Sequence, residues 1–208
     1  MNNYICKPAS SVEIINKVKD SKFIANIACV DSKKSAEIFV KKISKKYHDA
    51  THNVVAYKIG SGDEAIKYAN DDGEPARSSG PPILQAIEGR DISNIVIVVS
   101  RYFGGTKLGI GGLIRAYGDT AKMVMEKAGK KKSVLYFKIM ASGNYDQIGI
   151  IMAQIESYNG KILSTVYNSN GGKITFIINP EIFIKLKESL IEDTGNKVKF
   201  TKISQSYY

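Results

Sequence analysis

Apolar positions along this chain switch repeatedly between a period of two and a period near 3.6, and the switches define its elements. "KFIANIACV" predicts a strand. "SKKSAEIFVKKISKKYHD" predicts a helix with Ser32 as N-cap and Ala36, Phe39, Val40 and Ile43 turned inward. "NVVAYKIG" is a second strand, and "GPPILQAIEGRD" a short helix with prolines in its first turn. The β-branched run of "NIVIVVSRYF" reads as a buried strand. "GLIRAYGDTAKMVMEKAG" follows as a helix, with Leu113, Ala116, Tyr117, Val124 and Ala128 near one stripe.

The remainder alternates in a simpler order. "VLYFKIMAS" is a strand, and Tyr145–Asn159 a helix with Ile148, Ile151, Met152 and Ile155 at helical spacing. "KILSTVYN" and "KITFIIN" are strands joined by the turn "NSNGG", whose residues tolerate positive φ. Pro180 opens a helix with Ile182, Phe183, Leu186 and Leu190 on one face, and "KVKFTKIS" is the last strand. This βαββαβ order predicts a ferredoxin-like domain over residues 133–208. The lysine run "KAGKKKS", with Gly129 as helix terminator, separates it from a first domain over residues 1–130. The fold class expected is α+β.

Composition narrows the class. With 208 residues, 43% hydrophobic and 24% charged, the chain is ordinary globular material. No apolar run reaches membrane-span length or resembles a signal peptide, so a cytoplasmic protein with no membrane partner is expected. Cys6 and Cys29 have neither metal nor disulfide spacing. Cys29 lies in an apolar run and is expected in the core.

The net charge of +10 permits a polyanionic partner. Residues 1–132 carry 22 basic and 14 acidic side chains, whereas residues 133–208 carry 8 and 6. All four arginines, Arg77, Arg90, Arg101 and Arg115, fall in the middle of the chain. A polyanion-facing surface is therefore expected on the first domain, where planar bidentate donors are concentrated.

The chemistry gathers in two stretches. "SRYFGGTKLGIGGLIRAYG" places Gly104, Gly105, Gly109, Gly111 and Gly112 between Arg101 and Arg115, on a strand–loop–helix connection. A helix start offers unpaired N–H groups and a positive dipole end, so Arg101, Lys107 and Arg115 are candidate anion contacts beside it. Tyr102 and Phe103 could stack on bases. Walker A spacing is absent, and Ile114 stands where a dinucleotide fingerprint needs its third glycine. The glycines equally suit close packing of a tight connection.

"NDDGEPARSSGPPIL" concentrates acid, and Asp72, Glu74, Arg77 and Ser79 are a candidate site wall. The competing reading is a solvated turn, with Ser78 or Ser79 capping the next helix. Arg101 could instead be pinned from inside by Asp72 or Glu74. His48 and His52 fall at a helix exit, which argues against a metal pair and for structural or surface roles. No metal, cofactor or catalytic constellation is expected.

"DDGEPxxxxGxP" followed by "VVSRYFGGTKLGIGGLIRAYG", with "KFIA" and "ATHN" upstream, resembles the IMPACT/YigZ family over roughly residues 1–130. Arg77-Ser78 departs from the Gly-Thr pair that such relatives commonly carry within "GEPxGTAG". The resemblance implies a first domain like domain 2 of ribosomal protein S5, and a tail like a late domain of elongation factor G. It also implies a translation-linked or RNA-binding regulatory role, with RNA or ribosome-associated factors as partners. Eukaryotic relatives modulate a translation-stress kinase pathway. Two other readings stand beside this one. The chain could be an enzyme on a small phosphorylated or peptide-like substrate, with Asp72 or Glu74 as base. It could also be a protein-binding module with an exposed apolar patch.

Overall fold

The computed structural model describes residues 4–207. It divides into two compact units, the first over Ile5–Lys132 and the second beginning at Ser133. The first unit contains strands β1 (Tyr4–Pro8), β2 (Val12–Val18), β3 (Ser21–Cys29), β4 (His52–Ile59), β5 (Ile66–Asn70) and β6 (Ile95–Tyr102). Its helices are α1 (Lys33–Lys46), α2 (Gly80–Gly89) and α3 (Gly109–Ala128). Strands β2–β3–β6–β4–β5 form one sheet, every neighbouring pair antiparallel.

Strand β6 explains its own composition. Ile95, Ile97 and Val99 face one core with α2 and α3, where they meet Ile83, Ile87, Leu113, Tyr117 and Val124. Val96 and Val98 face the opposite core, which α1 closes with Ala36 and Ile43. A central strand covered on both faces needs no polar alternation, so its sequence is nearly continuous in apolar residues. Arg101 continues the parity of Val99 and therefore enters the α2/α3 side.

Helix α1 starts as expected: Ser32 accepts from the Ser35 amide, and Ser35 bonds back to the Ser32 amide. Helix α2 does not. Ser79 occupies the N-cap position without a capping bond from its side chain. The Asp71 carboxylate does that work from eight residues upstream of the N-cap, accepting from the amides of Arg77 (2.7 Å), Ser79 (2.9 Å) and Gly80 (2.8 Å). The Ser78 hydroxyl is turned to the Pro75 carbonyl instead. Cys29 is also a correction. It is exposed, because it ends β3 just past the packed face that Phe23, Ala25 and Ile27 share with it by parity.

The second unit has β7 (Lys130–Gly143) from Ser133 onward, α4 (Tyr145–Ser157), β8 (Lys161–Asn168), β9 (Gly171–Ile178), α5 (Pro180–Thr194) and β10 (Lys199–Tyr207). Its strands are antiparallel in the order β10–β7–β9–β8. Ile148, Ile151 and Ile155 of α4 and Leu186 and Leu190 of α5 cover Ile139, Ile174 and Phe176. Within the lysine run, Lys130–Lys132 already belong to β7. The chain is thus mixed α/β with antiparallel strands in each unit. No helix among the described residues is long and apolar enough to cross a membrane.

Candidate functional site

Register builds the site. At the end of the first sheet, Phe23 of β3, Arg101 of β6 and His52 of β4 lie directly opposite one another. Residues opposite across antiparallel strands share a face, so all three project to the α2/α3 side. The acidic loop between β5 and α2 then folds over them. Three of its carboxylates each take internal donors, so it is not a solvated turn. Asp71 caps α2 as described. Asp72 accepts the Asn53 amide at 2.6 Å. Glu74, only 8% exposed, receives Arg101 Nη1 and the Tyr117 hydroxyl on Oε1, both at 2.7 Å.

Burial, with the Glu74 carboxylate as acceptor, pushes the Tyr117 phenol far above its ordinary range. Arg101 is 5% exposed. Its Nη2 donates to Ser21 Oγ at 3.3 Å, and its Nε is buried without a hydrogen-bond partner. Neither Asp72 nor Glu74 therefore stands as a free base.

His52 is held through Nδ1, which lies 2.7 Å from the Asp72 carbonyl oxygen, an acceptor only, so Nδ1 carries hydrogen. Its Nε2 faces Glu74 Oε2, 3.9 Å away. The spacing of His48 and His52 did not point to this place; the signal lies in the β4–β6 register, which only the folded sheet supplies.

These groups line a cleft of about 380 Å³, with Phe103, Lys107, Leu108, Gly109 and Ile110 among its other walls. Helix α3 begins there. Its N-cap position is Leu108, and no side chain caps it, so the first amides are open to a ligand. Lys107 is exposed and has no ionic or hydrogen-bond partner among the described residues.

The structure sorts the sequence candidates. Glu74, Arg101, Lys107 and Gly109 meet in this cleft, with Gly111 and Gly112 just beyond in the first turns of α3. Asp72, Arg77 and Ser79 are not among its walls; they build the loop beneath it. Tyr102 points elsewhere, donating to Asp49 Oδ1 at 2.7 Å, and that bond pushes its hydroxyl up to about 12. Gly104 and Gly105 shape the loop. Arg115 is not beside Arg101. It lines a separate groove of about 510 Å³ between α2 and α3, with Arg90, Lys122, Asp119 and Ile114. Among the described residues, no cluster of three or more His, Cys, Asp or Glu is placed to hold a metal.

The Impact N-terminal domain model matches residues 19–125, which contain the whole cleft. IMPACT family member YvyE of Bacillus subtilis is 35% identical over 86% of this chain and 81% of its own length. The chain belongs to the IMPACT family. IMPACT family member YigZ of Escherichia coli is 32% identical over 78% of this chain and 80% of its own. A crystal structure of a hypothetical protein superposes over 98% of this chain and 99% of its own, with a TM-score of 0.76 and 26% identity.

The departure at Arg77-Ser78 now has a physical content. Arg77 sits at φ 64°, in the left-handed region where glycine is at ease and other residues are strained. Arg77→Gly is therefore expected to raise unfolding stability by about 0.5–1 kcal/mol, by relief of that strain. Urea unfolding that shows equal or lower stability would count against it.

Proposed function

We propose that the chain is a nucleic-acid-binding protein with a translation-linked regulatory role, holding RNA along the first half of α3. The observation that carries this reading is the pairing of unpartnered cations with exposed apolar groups there. Lys107 and Arg115 have no ionic partner among the described residues, and Phe103, Ile110 and Ile114 are exposed between and beside them. Phosphates would meet the two cations and the open amides of α3, and bases would lie on Phe103. The excess positive charge of residues 1–132 favours the same surface. Ribosome-associated factors are the fitting partner class.

Two fold assignments accompany the proposal. The β2–β3–β6–β4–β5 sheet, with the parallel-running β3 and β4 linked through α1, supports a first unit like domain 2 of ribosomal protein S5. The order β10–β7–β9–β8 supports a ferredoxin-like second unit. A cytoplasmic location fits both.

The test is anisotropy titration of a labelled single-stranded RNA across a salt series. Lys107→Ala with Arg115→Ala should weaken binding at least tenfold. The double variant should also make the log K against log salt slope shallower by about 1.4, since each lost single-strand phosphate contact removes about 0.7. A wild-type affinity indifferent to salt, or a slope unchanged in the variant, sinks the reading.

A further inference from the structure

We propose that the open face of the second unit's sheet is a further RNA surface, holding the backbone of a single strand by lysines and hydroxyls. This goes beyond the reading above, which places RNA on α3. The observations that carry it belong to the second unit alone.

Charge in this unit is sorted by layer. Its six acidic side chains all stand on the helices: Asp146 and Glu156 on α4, and Glu181, Glu188, Glu192 and Asp193 on α5. From Ser133 onward its strands carry five lysines and no acidic residue. Both helices pack on the face that holds Ile139, Ile174 and Phe176. Successive strand residues point to opposite faces, so the positions between these form a face that neither helix covers.

Register lays this face out in rows. Lys199 and Lys173 share one row, with Ser142 between them. Lys138 and Lys161 share another, with Ile177 between them. The row between these two holds Thr201, Met140, Thr175 and Ser164. None of these residues is buried. The four lysine side chains have no ionic or hydrogen-bond partner among the described residues.

The composition of the face selects the partner. A membrane surface calls for apolar side chains that insert, and here Met140 and Ile177 are half-buried at the centre of the sheet. Protein interfaces are depleted in lysine, which this face concentrates. Lysine with serine and threonine is a donor set of nucleic-acid backbone contacts: ammonium groups meet phosphates, and hydroxyls reach phosphate and sugar oxygens. A four-stranded sheet is also a known platform for single-stranded RNA. The three rows hold no aromatic ring, so the contact is with the backbone rather than by stacked bases.

The experiment is anisotropy titration of a labelled single-stranded RNA by the full chain across a salt series. Lys161→Gln, Lys173→Gln and Lys199→Gln together should weaken binding at least tenfold. They should also make the log K against log salt slope shallower by about 2, at about 0.7 per lost phosphate contact. Arginine at the same three positions keeps the charge and should bind like the wild type. Lys185→Gln, Lys187→Gln and Lys197→Gln remove equal charge from the rest of the unit and should leave the slope unchanged. If the two glutamine variants lose affinity alike, only overall charge matters and the sheet face is overturned. If the sheet variant binds like the wild type while Lys107→Ala with Arg115→Ala weakens binding, the face is overturned and the α3 reading stands. The reverse result retains the face and removes RNA from α3, and a loss in both supports both. A wild type that binds no RNA overturns both, including where it binds anionic vesicles or polyglutamate instead.

Discussion

Arg101→Ala is expected to remove about 3–5 kcal/mol of unfolding stability, the usual cost of leaving one partner of a buried ion pair uncompensated. Both side chains are nearly sealed from water, Arg101 at 6% and Glu74 at 3% side-chain exposure. Truncation takes away the donor on Glu74 Oε1 and leaves the Tyr117 hydroxyl as the remaining bond to that oxygen. It also removes the link to Ser21 and the packing of the guanidinium over the rings of Phe23 and Phe103, at 5.5 and 5.4 Å.

The double change Arg101→Met with Glu74→Leu should cost clearly less than Arg101→Ala alone, because no charge remains buried. Urea unfolding of the three proteins checks both statements. A loss below about 1 kcal/mol for Arg101→Ala would mean that the pair is solvated in solution and that the inward arrangement is wrong.

This arrangement answers what the two bracketing arginines do, and it separates them. Arg101 is chiefly a structural pillar that also walls the cleft, whereas Arg115 stands free on another groove. Their identical chemistry in the sequence hides that difference. What decides it is parity along β6 and the path of the acidic loop, which brings Glu74 across 27 residues of chain. The periodic segments were legible because each buries one face: α3, α4, α5 and the strands of the second unit fall close to their expected bounds. Strands β1, β2 and β5 were not: β1 and β5 are short, and β2 and β5 lie at the edges of the sheet, where β2 is largely half-exposed and β5 largely exposed. The acidic segment was legible as a loop but not as a hub, because which amide a carboxylate will cap depends on the fold. His52 was legible only as a residue near a strand start.

Gly104→Ala is the second large effect expected, a loss of about 2–3 kcal/mol at the upper end of what overpacking usually costs. A methyl group there would lie 1.9 Å from the Asp20 carbonyl oxygen and 2.1 Å from its carbon, so main chain must move. The contact is held from both sides: Gly104 N donates to Ser21 Oγ at 3.4 Å, and Thr106 Oγ1 donates to Asp20 Oδ2 at 2.6 Å. The loop therefore rests on the β2–β3 turn, and its glycine admits the protein's own backbone. Gly105 next to it has open space around its Cβ position but φ +96°. Gly105→Ala should cost about 1–2 kcal/mol, from conformation alone. Displacing this loop also moves Phe103 and Lys107, so on the proposed function Gly104→Ala should weaken RNA binding even at temperatures where the protein is folded. Unfolding and anisotropy measurements on the two variants separate the causes. A Gly104→Ala protein as stable as wild type would show that the loop does not sit on Asp20, and the walls of the cleft would have to be redrawn.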